Sequence, residues 1–318
     1  MSWSLLADNL TNPALLFFLL GVVAVQIKSD LAIPETSSKF ISLYLLFAIG
    51  FEGGQEMVHS PSGVEFAKAA ALGIGLAVVI PVYVFFIART KFTSENAGAI
   101  AAAYGSISAV TFVTAVSLLE AQDIPFHGHL VAVMALMEAP AIVVGVFMKE
   151  RFGSGGGSQW VWKDIIRHAL TNGSVVLILG SLLIGATASE EQAQGIHPFT
   201  TDLFKGFLAI FLLDMGLVSG RGLKNFAKNG LFAPALATGL PLFNGAVTAW
   251  LTGFLFESCG DRFLFSILAA SASYIAVPAA MRLAAPQAQP GLYIPMALAV
   301  TFPVNLTLGF PLYQAIIN

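Results

Sequence analysis

The sequence predicts an all-α polytopic membrane protein with ten transmembrane helices, arranged as two halves of five in an inverted repeat. Hydrophobic residues make up 57% of the chain and charged residues only 10%, whereas a soluble domain carries about 25% charged residues. Long apolar runs recur from one end of the chain to the other, and a membrane-spanning helix needs about 20 mostly apolar residues. Two of these runs, one in each half, are interrupted by small and hydroxyl-bearing residues.

The apolar runs define ten predicted spans. They cover residues 13–28, 37–55, 65–88, 97–120, 127–148, 169–187, 200–219, 230–256, 262–283 and 291–316. Between the fifth and sixth spans, residues 149–168 contain the stretch Gly-Ser-Gly-Gly-Gly-Ser, which has the composition of a flexible linker. The chain therefore divides into a first repeat (1–148), a Gly-rich linker (149–168) and a second repeat (169–318).

The distribution of basic residues sets the orientation. With the N-terminus outside, only Lys68, Lys205 and Arg262 lie in outer loops, so twelve of the 15 Lys and Arg residues lie inside (15 − 3 = 12). Both termini are then periplasmic or extracellular, the linker is cytoplasmic, and the location is a cell inner membrane. The first residues lack a basic n-region and a cleavage site, so no cleaved signal peptide is expected. The net charge of −3 argues against a nucleic-acid partner.

The two halves resemble each other weakly but in a consistent order. Residues 41–54 resemble residues 206–220, and each stretch is followed, after a polar turn, by Phe-Ala-Lys at 66–68 and 226–228. Because each half has five spans, the second half enters the membrane from the opposite side. The repeat is therefore inverted, and the fourth and ninth spans correspond as the two broken helices.

The centres of the fourth and ninth spans are the predicted binding site. Interrupted helices in corresponding places of two halves are typical of secondary transporters. A helix that begins inside the membrane presents free N–H groups and a partial positive charge, which favour an anion, while hydroxyl oxygens suit a cation such as sodium. The candidates in the two breaks are Gly105, Ser106, Ser108, Thr111, Ser271 and Ser273. The alternative is that these small and hydroxyl residues only pack helices together.

Two carboxylates fall inside predicted spans, where ionisable residues are costly and usually functional. Glu138 lies near the middle of the fifth span and Asp214 well inside the seventh. Glu138 is the stronger candidate, as a proton carrier or, with Ser108 and Ser273, as a sodium ligand. The histidines at 127 and 129 are interpreted as solvated loop residues. The sequence contains no P-loop, G-x-S-x-G or H-E-x-x-H motif, so an ATP-driven pump or a membrane hydrolase has little support.

Several short motifs also resemble a known family. The matching segments are Ile33-Pro34-Glu35, Gly50 with Gly53-Gly54, Gly105, Ser108 and Thr111 with Leu118-Leu119-Glu120, Pro140, Ala269-Ala270-Ser271 with Ser273, Pro278 with Arg282, Tyr293-Ile294, Pro303 and Pro311-Leu312. In order and spacing they resemble the sodium-dependent bicarbonate transporters of cyanobacteria and their wider bacterial permease family. The resemblance covers nearly all ten spans.

This resemblance implies a core domain, a gate domain and a homotrimeric assembly. It implies sodium-coupled uptake of bicarbonate where the broken helices cross, and control by a small PII-like cytoplasmic protein. The chain departs from the family pattern at Tyr274, a further site candidate, where an acidic residue is usual, and at Glu138, where a shorter Asp is typical. Its linker is also shorter than in the cyanobacterial members, which puts the PII-like regulator in doubt.

The leading hypothesis is thus a sodium-driven symporter for bicarbonate or a similar small monovalent anion in the lipid bilayer. Proton-coupled or facilitative passage of another anion, with Glu138 titrating, is the alternative within transport. A receptor that binds its ligand without transporting it is the alternative outside transport. A membrane enzyme is the least favoured, because no nucleophile and base are found together.

Overall fold

The computed structural model describes residues 13–59, 63–153, 173–226, 230–274 and 276–318, with Arg167 and Thr171. Across these residues the secondary structure is helical and contains no β-strand. The helices are α1 (Pro13–Gln26), α2 (Glu35–His59), α3 (Gly63–Arg89), α4 (Ser94–Gly105), α5 (Ala109–Ala121), α6 (His129–Phe152), α7 (Gly173–Thr187), α8 (Glu190–Gln194), α9 (Phe204–Phe226), α10 (Phe232–Thr252), α11 (Cys259–Ala270), α12 (Ala276–Ala284) and α13 (Pro290–Ile317). The predicted all-helical class is confirmed.

Five stretches of the described chain are long and apolar enough to cross a membrane. They are Gly63–Arg89, Ser94–Ala121, His129–Phe152, Pro198–Arg221 and Pro290–Ile317. Shorter apolar helices cover Leu16–Gln26 and Val176–Thr187. These helices support a multi-pass membrane protein, while the count of ten spans stays a prediction.

Both segments with small, hydroxyl-rich centres are interrupted. The first stops at the end of α4 and resumes with α5, and the second stops at the end of α11 and resumes with α12. Every residue from 96 to 108 is buried, because α4 packs against α3 and α6 on one side and against α11, α12 and α13 on others. The first break therefore lies inside protein, the setting in which interrupted backbone is tolerated at membrane depth.

Two helices beside the breaks contain an internal proline, Pro81 in α3 and Pro241 in α10. A proline inside a helix has no N–H and leaves the carbonyl four residues earlier without its usual donor. For Pro241 that carbonyl is Ala237, which accepts from the Thr301 hydroxyl at 2.7 Å. The Thr301 hydroxyl is also 2.7 Å from that of Tyr104 in α4, so the carbonyl freed by Pro241 belongs to a buried polar network.

Two helix pairs approach each other backbone to backbone. The first is α1 with α9, and the second is α2 with α7. A Cβ atom on Gly216 of α9 would lie 2.1 Å from the Phe18 carbonyl oxygen, and one on Gly185 of α7 would lie 2.1 Å from the Phe51 carbonyl oxygen. Such contacts require glycine, as in other closely packed membrane helices.

The boundaries differ from the predicted ones near the linker and at the outer histidines. Helix α6 continues through Phe152, past the boundary predicted at residue 148, and residues 154–166 of the linker lie outside the described residues. The solvated interpretation is wrong for His129, whereas the His127 side chain is 32% exposed. His129 begins α6 and is buried, and the His127 ring nitrogen lies 2.6 Å from the Asp261 carboxylate.

Candidate functional site

The first break is shaped by two serines with extended backbone conformations. Ser106 ends α4, and its N–H donates to the Ala102 carbonyl at 3.0 Å. Ser108 then begins α5 as its N-cap, and its hydroxyl accepts from the N–H of Thr111 at 3.2 Å. Serine is favoured at an N-cap because its short side chain satisfies one of the free N–H groups of the first turn.

The second break ends in a similar way at Ser271. Its N–H donates to the Ile267 carbonyl at 2.9 Å, and its hydroxyl donates to the Leu268 carbonyl at 3.2 Å. Ser271 therefore satisfies two carbonyls in the last turn of α11. Helix α12 resumes at Ala276.

Two hydrogen bonds join the breaks to each other. The N–H of Ser108 donates to the Ser271 hydroxyl at 3.0 Å, and the N–H of Ser273 donates to the Ala103 carbonyl at 2.8 Å. Each break thus satisfies a backbone group of the other. The two interrupted segments, more than 160 residues apart in sequence, meet at their breaks.

A small cavity lies where the breaks meet. Its polar lining consists of Ser42, Ser108, Glu138, Ser273 and Tyr274. The volume open to the centre of a water molecule is about 30 Å³, and one water needs about 10–15 Å³ by that measure. The cavity therefore suits a small ion with few heavy atoms.

The rest of the lining is apolar or backbone. Side chains of α2, α5 and α7 contribute Leu45, Leu46, Val113 and Ile178, and the breaks contribute Ile107, Ala109, Val110 and Ala276. Within the described residues, the N–H groups of Ala109 and Val110, in the first turn of α5, have no hydrogen-bond acceptor. A cavity with apolar walls and free N–H groups at a helix start favours an anion.

Glu138 brings a carboxylate to the same cavity. The residue is 4% exposed, and no residue that the structure describes pairs with the carboxylate as a cation or hydrogen-bond donor. An ionised carboxylate is expensive to bury without a partner. Glu138 therefore has the properties of a ligand for a cation or a proton.

Tyr274 closes the cavity from the second break. Its hydroxyl lies 3.7 Å from the sulfur of Met215 in α9 and also interacts with the Ser108 side chain. Asp214, next to Met215, is buried and lies near the Ser38 side chain. Tyr274 thus touches both the first break and α9, while Asp214 does not line the cavity.

The structure separates the eight site candidates into two groups. Those that line the cavity are Ser108, Glu138, Ser273 and Tyr274. The others lie behind the wall: Thr111 and Ser271 hold the breaks through the bonds given above, and Gly105 faces the Pro81 ring. Ser106 is fully buried, and its hydroxyl has no partner among the described residues.

Sequence reasoning missed the contribution of α2 and α7. Ser42 is polar and lines the cavity, while its hydroxyl also donates to the Ser38 carbonyl at 2.9 Å. Neither Ser42 nor Ile178 belongs to an interrupted segment, so composition alone did not mark them. The spacing of Ser38 and Ser42, one helical turn apart, was the available signal.

A family model described as the Na⁺-dependent bicarbonate transporter superfamily matches residues 13–318, nearly the whole chain. No curated protein matches it.

Proposed function

The chain belongs to the Na⁺-dependent bicarbonate transporter superfamily, and on this premise we propose that it is a secondary active transporter. It takes up bicarbonate or a similar small monovalent anion together with sodium, by alternating access. The observation that carries the proposal is the cavity between the two breaks, whose lining includes the first turn of α5 and the buried residue Glu138.

The anion is bound by the start of α5. The N–H groups of Ala109 and Val110 lack acceptors within the described chain, and the apolar walls keep water from screening them. A bound oxyanion accepts these hydrogen bonds, which are stronger than those between neutral groups. Helix α12 also begins at the cavity with Ala276, so the partial positive charges of two helix starts act on one anion.

Sodium is held by the oxygens on the same cavity. The Glu138 carboxylate and the hydroxyls of Ser108 and Ser273 supply hard oxygen ligands. A cation beside Glu138 offsets the unfavourable burial of its charge. Anion and cation then stabilise each other, which couples their binding.

Alternating access is supported by how the helices pair. The first helix of one half packs on the second of the other in both α1–α9 and α2–α7, each through a glycine contact of the same kind. This exchange is the pattern that an inverted repeat of 1–148 and 169–318 produces. We propose that these four helices form the gate and that α3 to α6 with α10 to α13 form the core that moves against it.

The same proposal covers location and assembly. The chain lies in the cell inner membrane with both termini periplasmic or extracellular, as the positive-inside count indicates. The homotrimer and the PII-like regulator rest on the family resemblance. Light scattering of the purified protein in detergent tests whether it is a trimer. A pull-down with a PII-like protein tests whether that regulator binds.

The test is uptake of labelled bicarbonate into proteoliposomes, with and without an inward sodium gradient. Potassium replaces sodium in the control, and liposomes without protein give the background. Uptake that requires sodium supports the proposal. Saturable binding without uptake, in folded protein, would contradict it and favour a receptor.

A second candidate is proton-coupled transport, which the unpaired carboxylate of Glu138 favours. In that case a pH gradient drives uptake without sodium, and Glu138→Gln abolishes the pH dependence. Uptake that follows sodium and ignores the pH gradient would exclude it.

A further inference from the structure

We infer that Asn244 and Asn305 are positioning residues that hold the second break in its binding geometry. They act through the end of α11 and do not line the cavity. This inference rests on the proposed function only where it concerns transport kinetics. Its structural part stands without it.

The last turn of α11 ends at the second break, inside the protein. The last four carbonyls of a helix have no donor within the helix, and in a membrane they must find one elsewhere. The N–H and the hydroxyl of Ser271 donate to the first two of these carbonyls, those of Ile267 and Leu268. The last two accept from buried asparagines of other helices: Ala269 from Asn244 Nδ2 of α10 at 3.2 Å, and Ala270 from Asn305 Nδ2 of α13 at 2.9 Å.

Each asparagine is oriented by a tyrosine. The Tyr83 hydroxyl donates to Asn244 Oδ1, and the Tyr313 hydroxyl shares its one hydrogen between Asn305 Oδ1 at 3.0 Å and the Pro241 carbonyl at 2.8 Å. A donor on Oδ1 fixes which end of the amide is the acceptor, so each Nδ2 is turned towards its carbonyl. Asn244 and Asn305 are 4% and 0% exposed, so water does not compete for these bonds.

The first break has no equivalent arrangement. Within the described residues, the carbonyls of Tyr104 and Gly105 at the end of α4 have no hydrogen-bond donor. Val84 stands three residues after the helix proline of α3, the place that Asn244 occupies after the helix proline of α10. The protein itself therefore completes the second break and leaves the end of the first open.

Fixing the end of α11 fixes the residues that follow it. Ser271 and Ser273 come directly after α11, bond to the first break and carry the chain to α12. If Ala270 loses its donor, a buried carbonyl is left unsatisfied and the turn shifts to find another. The N–H of Ser273 then loses its place on the Ala103 carbonyl, and the cavity wall moves with it.

The structural test is hydrogen–deuterium exchange of the full-length protein in lipid nanodiscs. Asn305→Leu keeps the size and removes the amide, and it should speed exchange in residues 271–273 about tenfold. The matched control is Thr307→Val, because in the described part of the chain the Thr307 hydroxyl bonds only to the Pro303 carbonyl of its own helix. Unchanged exchange in Asn305→Leu, or equal acceleration in Thr307→Val, would overturn the inference.

A milder variant covers the case in which Asn305→Leu does not fold. Tyr83→Phe keeps the Asn244 amide and removes the hydroxyl that orients it, so exchange at 271–273 should rise by a smaller factor. Unchanged exchange there would equally overturn the inference.

The kinetic test uses the same variants in bicarbonate uptake. The KM for bicarbonate should rise about tenfold in Asn305→Leu while the maximal rate falls much less, because the site is displaced and the moving parts are intact. A fall in rate without a rise in KM would point to a purely structural role. If wild-type protein transports no bicarbonate, the proposed function fails, and the exchange result still decides the structural part.

Discussion

The N–H of Ser108 donates to the hydroxyl of Ser271 across 3.0 Å. This bond connects the start of α5 to the end of α11, so the two interrupted segments share one hydrogen-bonded junction. Residues on either side of it face the cavity. Perturbing the junction should therefore affect stability and transport together.

Ser271→Ala should lower stability by about 1–3 kcal/mol, because it leaves the buried N–H of Ser108 without an acceptor. Thermal unfolding in detergent, followed by intrinsic fluorescence, measures the change. Ser266→Ala is the control: Ser266 is also buried in α11, but among the described residues its hydroxyl bonds only to the Arg262 carbonyl of its own helix. Equal melting temperatures for the two variants would show that the hydrogen bond between Ser108 and Ser271 does not stabilise the protein.

Ser108→Leu should abolish uptake while the protein still inserts in the membrane. The larger side chain fills the cavity and removes the N-cap of α5, which alone contributes about 1 kcal/mol. Labelled bicarbonate uptake and membrane fractionation measure the two effects. Ser117→Leu, on a half-buried side of the same helix, should transport normally. If Ser108→Leu takes up bicarbonate as fast as the wild-type protein, Ser108 does not belong to the binding site.

Glu138→Gln should raise the KM for sodium by tenfold or more, about 1.4 kcal/mol of lost cation binding. The amide keeps the shape of the side chain and removes its charge. Glu150→Gln is the control, since Glu150 lies near the end of the same helix and pairs with Lys149 at 2.6 Å. A sodium KM that does not change in Glu138→Gln would exclude Glu138 as the cation ligand.

Gly185→Ala should destabilise the protein by about 1–3 kcal/mol, because the new methyl group overlaps backbone of α2. Gly180→Ala is a control in the same helix, since a Cβ atom there meets nothing within 4 Å. The melting temperature should fall for the first variant and stay the same or rise for the second. Similar values for both would show that α2 and α7 do not pack as closely as described.

The interruptions could be predicted from sequence because their cause is local. Glycine, serine and proline weaken a helix wherever they cluster, and Ser106 and Ser108 end one helix and begin the next within three residues. Buried carboxylates such as Glu138 are also visible locally, since a charge within an apolar run stands out. These signals need no knowledge of neighbouring helices.

The membership of the cavity wall could not be predicted in the same way. Ser106 and Ser108 are two residues apart with similar neighbours, yet only Ser108 lines the cavity. Which hydroxyl faces the space depends on α2, α7 and the second break. The prediction that His129 is solvated failed for the same reason, because His129 is buried and packs against Phe66 of another helix.

By itself, the sequence determined that the chain is helical, that it belongs in a membrane and where two of its helices break, because composition and short-range backbone preferences govern all three. The tertiary structure alone decided which groups meet at the breaks. Contacts such as Ser108 with Ser271, and Asn305 with Ala270, join residues far apart in the chain. Their geometry follows from how whole helices pack, and no local pattern encodes it.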